Sequence, residues 1–142
     1  MSTTILASAA RTTSSTAAVS ATNLGLVKSA AFLLSVTAAA TDSNDTLDVY
    51  LQHSVDGTTY DDFVHFTQVL GNGGAKTYLA HWSRDVTPTA AQHAPNDAAL
   101  AAGVAQGAVG ATWRVKWVIV DGGSDADQSF TFNVTAQLNY GR

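Results

Sequence analysis

The stretch that decides the fold of this chain is FTFNVTAQLNY, residues 130–140. Its apolar positions alternate with polar ones: Phe130, Phe132, Val134, Ala136, Leu138 and Tyr140. Because successive side chains of a β-strand point to opposite faces, an alternation of this length predicts a strand with one buried face. We expect the even-numbered residues of this strand to face the core.

The same period of two recurs upstream, in residues 30–37, 47–52 and 112–119. Turn-forming residues separate these runs, and no repeated helices are predicted. Strands in this arrangement predict an all-β fold, an antiparallel β-sandwich or a jelly-roll-like variant of one. Its largest core residues would be Trp113, Trp117, Phe130 and Phe132.

A hairpin is predicted at residues 55–58, which read VDGT, because Asp-Gly tolerates the positive φ that tight hairpins need. The return strand would run over residues 60–66. Strict alternation along it would place Phe63 and His65 on the face opposite Val64.

Composition excludes several classes of function. The chain has 142 residues and no Cys, so neither a disulfide framework nor a thiolate metal site can form. Lys and Arg together number 7 and the net charge is −4, which argues against nucleic-acid binding. Every one of the 11 acidic residues is Asp, which favours turns over helices.

Targeting and membrane segments are not expected either. No basic segment precedes an apolar core at the N-terminus. The most apolar window, residues 29–40, is shorter than the ~20 residues a membrane helix needs. We therefore expect a soluble protein made in a reducing cytoplasm, or one indifferent to redox state, with no membrane partner.

The chain divides into an N-terminal arm, residues 1–23, and a β-sandwich domain, residues 24–142. The arm is a Ser/Thr/Ala tract that either docks as a strand on its own domain or lies extended on a neighbouring subunit. A long irregular excursion is predicted over about residues 84–110, and a segment of this length is often functional. Within it, Asn96 or Asp97 could cap one or two helical turns.

Catalytic motifs are weak. Residues 53–57, HSVDG, contain His, Ser and Asp, but neighbours on one strand end do not converge as a catalytic triad does, and a strand end with a hairpin turn explains them. His53, His65, His81 and His93 lack metal-binding spacing, although His53 and His65 could approach each other across the hairpin. We predict a protein that is not an enzyme, with no catalytic residue, no cofactor and no metal ligand.

Two binding chemistries are minor alternatives to this prediction. Two Asp-rich turns could supply carboxylates to calcium, although EF-hand spacing is absent and Asp is common in β-turns: Asp42 and Asp45, and Asp121, Asp125 and Asp127. Three aromatic residues could stack on a sugar, or belong to strand faces in the core: Tyr60, Tyr78 and Trp82.

The surface is sparsely charged, since Asp, Glu, Lys and Arg make up 13% of the chain against about 25% in ordinary soluble domains. Lys, which usually protects edge strands from unwanted pairing, occurs only three times. Such a surface suits a subunit covered by partners. We expect the assembly interface to include Ile5, Leu6, Arg11, Val19, Tyr78, Trp82 and Arg84.

Residues 47–63, LDVYLQHSVDGTTYDDF, resemble a strand–hairpin–strand stretch of small virion proteins of tailed bacteriophages. The strand WRVKW, residues 113–117, and the strand of residues 130–140 are similar to the end of the same proteins. The resemblance covers about residues 28–140 and leaves the N-terminal tract unmatched.

The resemblance implies a non-enzymatic structural subunit of the virion. From this resemblance we expect, as the first choice, a capsid decoration (cement) protein that is made in the host cytoplasm and lies on the capsid surface. The partners would be further copies of the chain, in a trimer or other small ring, and the major capsid protein. Neck or tail components, or a carbohydrate-binding module of a phage fibre with a glycan ligand, are the alternatives.

Overall fold

A computed structural model describes residues 2–141. It consists of ten strands, and the helical residues within this range are one 3-10 turn, Leu24–Leu26. The strands are β1 (Ser2–Arg11), β2 (Ser15–Ala18), β3 (Ser29–Ala38), β4 (Thr46–Ser54), β5 (Tyr60–His65), β6 (Val69–Leu70), β7 (Lys76–Ser83), β8 (Gly103–Val104), β9 (Thr112–Val120) and β10 (Phe130–Asn139).

The strands form two antiparallel sheets that pack face to face, which confirms the predicted β-sandwich. Sheet A has the order β1-β10-β3-β7, and sheet B has the order β2-β9-β4-β5-β8, with β6 pairing to β4. The inward side chains of both sheets form one hydrophobic core. The predicted core residues Trp113, Trp117, Phe130 and Phe132 are all buried in it.

Phe63 of β5 lies at the centre of the aromatic part of this core. Its ring centroid is 5.1 Å from that of Trp113, 5.7 Å from that of Trp82 and 5.9 Å from that of Phe32. Tilted and edge-to-face contacts at these distances add to the stabilisation from burial alone.

The predicted alternation along β5 is wrong, because the strand contains a bulge. Leu51 of β4 pairs with Val64, but the next residue, Gln52, pairs with Asp62, so Phe63 is the extra residue. Phe63 and Val64 are therefore both buried, instead of facing opposite sides.

The first 23 residues do not form a free arm, since β1 pairs with β10 in sheet A and β2 pairs with β9 in sheet B. Ile5, Leu6 and Val19 are buried in the core. Of the two predicted placements, the strand docked on its own domain is the one found. Residue 1 lies outside the described residues.

Arg11 closes a bulge in β1. Its guanidinium donates hydrogen bonds to the carbonyl oxygens of Ala7 (2.8 Å), Ala9 (3.0 Å) and Phe132 (2.8 Å). It also lies over the rings of Trp117 and Phe132, 4.8 and 4.6 Å from their centroids. The half-buried charge is thus paired with backbone oxygens and aromatic rings at the register shift that follows Leu6.

The excursion of residues 84–110 is irregular as predicted, with only β8 inside it. The helical turns predicted from Asn96 or Asp97 are absent, because Ala98 has a φ of 60° and the next residues run alongside β5. The carboxylate of Asp62 accepts hydrogen bonds from the backbone N–H groups of Ala98 (3.1 Å), Ala99 (2.9 Å) and Leu100 (3.0 Å). A side chain of the sheet, and not a local cap, sets the shape of this segment.

Candidate functional site

The outward side of sheet A is the least charged surface of the sandwich. Three cross-strand rows form it: Ser2, Gln137, Ala31 and His81; Thr4, Thr135, Leu33 and Leu79; Asn133, Ser35 and Thr77. We call these side chains the sheet A face. None of them is Lys, Arg or Asp, and Leu79, on β7 at one border of the face, is 60% exposed.

The outward side of sheet B is different, because charged side chains there pair with one another and with the excursion. Arg114 Nε donates a hydrogen bond to Gln52 Oε1 (2.6 Å), and Gln52 Nε2 donates to Asp62 Oδ1 (2.6 Å). Lys116 Nζ donates to Asp97 Oδ1 of the excursion (2.6 Å). Sheet B is thus covered in part by its own chain, whereas the sheet A face is not.

Strand β7 is an edge of sheet A. The excursion covers its C-terminal end, where Gly107 N donates to Ser83 O (3.1 Å) and Gln106 Nε2 donates to His81 O (3.1 Å). Toward the other end no strand of residues 2–141 pairs with its outer side, and Lys76 is its one charged residue. An edge with so little protection is a place where another chain can pair.

The seven predicted interface residues all contribute to the sandwich itself, four of them fully buried and three half-buried, and their role in an assembly interface stays a prediction. Ile5, Leu6, Val19 and Trp82 are buried, Tyr78 packs against the core, Arg11 bonds to β1 and β10, and Arg84 Nη1 donates to Gly25 O at 2.6 Å. The sequence could not separate them from surface residues, because apolar residues serve a core and an interface equally well.

The predicted aromatic platform for a sugar does not form. Trp82 is 1% exposed and its Nε1 donates to Gly107 O (3.0 Å). Tyr60 lies under the Arg114 guanidinium, 3.6 Å from the ring centroid. A ring must present an open face to stack on a pyranose, and Trp82 presents none.

A histidine cluster that the sequence did not predict lies beside a cavity of ≈ 200 Å³. Asp61 Oδ2 lies 2.8 Å from His93 Nε2 and 3.8 Å from His53 Nε2, and Asp61 Oδ1 accepts a hydrogen bond from Asn96 N (2.7 Å). His93 comes from the excursion, which brings it next to β4 and β5. The predicted neighbour of His53 was His65, which instead stacks on Tyr50 with centroids 4.1 Å apart.

This cluster has no activated nucleophile. Gly110 N donates to His53 Nδ1 (3.1 Å), which places the ring proton on Nε2, toward Asp61. Burial lowers the pKa of His53, and by more than the Asp61 carboxylate raises it. Both ring nitrogens are therefore occupied, and the Ser54 hydroxyl donates to Asp56 Oδ1 (3.0 Å) within the hairpin turn predicted for residues 55–58.

The Asp-rich turns are brought together in part. Asp42, Asp45 and Asp127 present carboxylate oxygens that all lie within 4.8 Å of one another. Asp121 and Asp125 are outside this group.

His65 ties the excursion to sheet B in a pH-dependent way. Its Nδ1 lies 2.7 Å from Leu100 O and its Nε2 lies 2.8 Å from Asp48 Oδ1, so the protonated ring donates to both. Burial lowers the pKa of His65, but these hydrogen bonds raise it by more, and the net shift is upward from 6.5. Burial likewise raises the pKa of Asp48, but hydrogen bonds from His65 and Gln68 bring it below 3.8.

The direction of both shifts predicts a pH window for stability. The hydrogen bonds of His65 contribute fully to the free energy of unfolding below pH 6.5, the pKa of the unfolded residue. This contribution is lost as the pH rises through the folded pKa. The hydrogen bonds of Asp48 stabilise the fold above pH 3.8, the pKa of the unfolded residue. This contribution is lost as the pH falls through the folded pKa of Asp48. The stability difference between the wild type and His65→Gln, measured by urea unfolding, should therefore shrink as the pH rises above 6.5. A constant difference over this range would contradict the assignment.

No family model matches the chain, and no curated protein or solved structure matches it either. Within residues 2–141, no helix has the length and apolar character needed to cross a bilayer. Function has to be inferred from the surfaces of the chain itself.

Proposed function

We propose that this chain is a non-enzymatic structural subunit of a tailed-phage virion, most specifically a capsid decoration (cement) protein. The observation that carries the proposal is the sheet A face, a four-stranded surface whose three rows contain no Lys, Arg or Asp. The resemblance of residues 28–140 to small virion proteins points in the same direction.

The sheet A face suits burial against a partner for two physical reasons. Uncharged polar side chains cost less to bury than an unpaired charge, provided that hydrogen bonds to the partner replace those to water. The exposed side chain of Leu79 and the open side of β7 lie at the same border, so a partner can combine apolar contact with backbone pairing. Further copies of the chain, in a trimer or other small ring, and the major capsid protein are the partners that we propose.

A subunit of this kind reinforces a shell by mass action. It binds the assembled lattice and not the separated capsid subunits, so each bound copy shifts the equilibrium toward the intact particle. The charged outward side of sheet B and its covering excursion would then face solvent, on the capsid surface of the virion.

A single charge on the sheet A face, at its β7 border, should disrupt attachment. Leu79→Lys places an ammonium group where the partner would exclude water, and we expect occupancy on heads assembled without this subunit to fall at least about tenfold. Val55→Lys is the matched control, because Val55 is 88% exposed in the β4–β5 turn and away from the face. Equal occupancy of the two variants, both with wild-type melting temperatures, would refute the proposed face.

A neck or tail component remains the alternative within the same class of protein. The copy number per particle separates the two, since a lattice protein is present in many more copies than a ring at one vertex. For a carbohydrate-binding module, burial of Trp82 removes one of the three aromatic residues on which the glycan site was predicted, with Tyr60 and Tyr78.

A further inference from the structure

Three carboxylates meet where the β3–β4 turn approaches the β9–β10 connection. Asp42 and Asp45 lie in the first segment and Asp127 lies in the second. An oxygen of each lies within 4.8 Å of an oxygen of both others, and no other trio of His, Cys, Asp or Glu side chains in the described part of the chain does so.

One oxygen of each carboxylate accepts a hydrogen bond from the surrounding chain. The donors are Asn44 N to Asp42 Oδ1 (2.9 Å), Gly122 N to Asp45 Oδ1 (3.1 Å) and Thr41 Oγ1 to Asp127 Oδ2 (3.0 Å). The second oxygens of Asp45 and Asp127 are buried and accept no hydrogen bond from residues 2–141. Asp45 is 0% exposed, so neither water nor a side chain of that range supplies the partner that its buried Oδ2 needs.

The cluster also has no positive charge to offset it. In the chain as described, no Lys, Arg or His forms an ion pair with Asp42, Asp45 or Asp127. Burial raises the pKa of Asp45, and the nearby Asp127, Asp42 and Asp121 carboxylates raise it further, while the Gly122 hydrogen bond lowers it. Negative charge is thus concentrated around Asp45, whose own side chain is closed off from solvent.

Two glycines allow the segments to approach this closely. A Cβ atom on Gly122 would collide with Asn44 O, and one on Gly123 would collide with Asp42 Oδ2. A larger residue at position 122 would push the β9–β10 connection away from the backbone of the β3–β4 turn, and one at position 123 would displace the Asp42 carboxylate.

We propose that Asp42, Asp45 and Asp127 form a calcium site that ties the β3–β4 turn to the β9–β10 connection. All the side-chain donors are oxygens, which calcium and magnesium prefer, whereas zinc favours nitrogen and sulfur ligands. The donors come from turns, and calcium accepts irregular geometry with six to eight oxygens, whereas magnesium demands a near-ideal octahedron. Backbone carbonyls and water would complete the shell. This inference does not depend on the proposed virion role.

Thermal unfolding in calcium chloride, compared with EDTA, tests the site. We expect calcium to raise the melting temperature of the wild type by several degrees, with a Kd of about 10⁻⁵–10⁻³ M by calorimetry. Asp127→Asn should weaken calcium binding at least about tenfold. Asp125→Asn is the matched control, since Asp125 lies in the same connection but outside the cluster, and it should respond like the wild type.

A second variant uses the repulsion among the carboxylates. In EDTA, Asp45→Asn should melt above the wild type, because it removes one of three like charges, and with calcium the order should reverse. Three results would each overturn the proposal: no calcium shift in the wild type, an undiminished shift in Asp127→Asn, or an equal response to magnesium chloride.

Discussion

Replacing Phe63 with alanine is expected to lower the free energy of unfolding by about 3–5 kcal/mol. The ring is 1% exposed and touches the rings of Phe32, Trp82 and Trp113, so its removal leaves a cavity whose rigid aromatic walls cannot collapse to fill it. A small domain has only about 5–15 kcal/mol of stability, so this one change removes a large fraction. Urea unfolding followed by tryptophan fluorescence measures it, because Trp82 and Trp113 are direct neighbours.

Two comparisons make this result specific to the packing at Phe63. Phe63→Leu keeps most of the volume and should cost clearly less than alanine. Val55→Ala removes an exposed side chain and should change stability by less than about 0.5 kcal/mol. A loss for Phe63→Ala as small as that of Val55→Ala would mean that the β5 bulge does not direct this ring into the core.

Removing the Asp62 carboxylate should release the excursion from sheet B. Asp62 is 2% exposed and accepts from three backbone N–H groups of residues 98–100 and from Gln52 Nε2. Asp62→Ala leaves these donors without an acceptor, and we expect it to lower the free energy of unfolding by about 3 kcal/mol. Hydrogen bonds to a charged group contribute about 1.5–3 kcal/mol each, but the released N–H groups regain hydrogen bonds to water, which offsets part of the loss. Hydrogen exchange should show lost protection at residues 98–100 before the sheets open.

The neighbouring carboxylate is the control for Asp62. Asp97 bonds to Lys116 and Gln52, but its side chain is 56% exposed, so Asp97→Ala should cost less than about 1 kcal/mol. Asp62→Asn keeps the size but loses one acceptor oxygen and should fall between the two. Unchanged protection at residues 98–100 in Asp62→Ala would show that other contacts hold the excursion.

The Asp62 result also bears on the histidine cluster. Asp62 N donates to Asn96 O (2.8 Å), and His93 lies three residues before Asn96. If the excursion is released, His93 should leave Asp61, and the cavity beside His53 should open to solvent.

The sequence by itself determined the fold class and most of the core. Residues 30–37, 47–52, 112–119 and 130–140 each carry an uninterrupted period of two, and each became a strand of the sandwich. The Asp56-Gly57 turn also depends only on neighbouring residues. Gly57 takes a φ of 81°, and Asp56 accepts hydrogen bonds from the backbone N–H groups of residues 58 and 59. Alternation and turn chemistry depend only on near neighbours, so one chain suffices to read them.

Only the tertiary structure revealed the β-bulges, which interrupt the alternation of side chains, and the contacts between residues that are far apart in sequence. Bulges in β1 and β5 put adjacent residues on the same side, which hid the burial of Ile5 and Leu6 and the position of Phe63. Asp127 meets Asp42, and His93 meets Asp61, across long stretches of chain. A bulge has no period, and a partner remote in sequence leaves no local pattern, so both are fixed only when the two sheets close on each other.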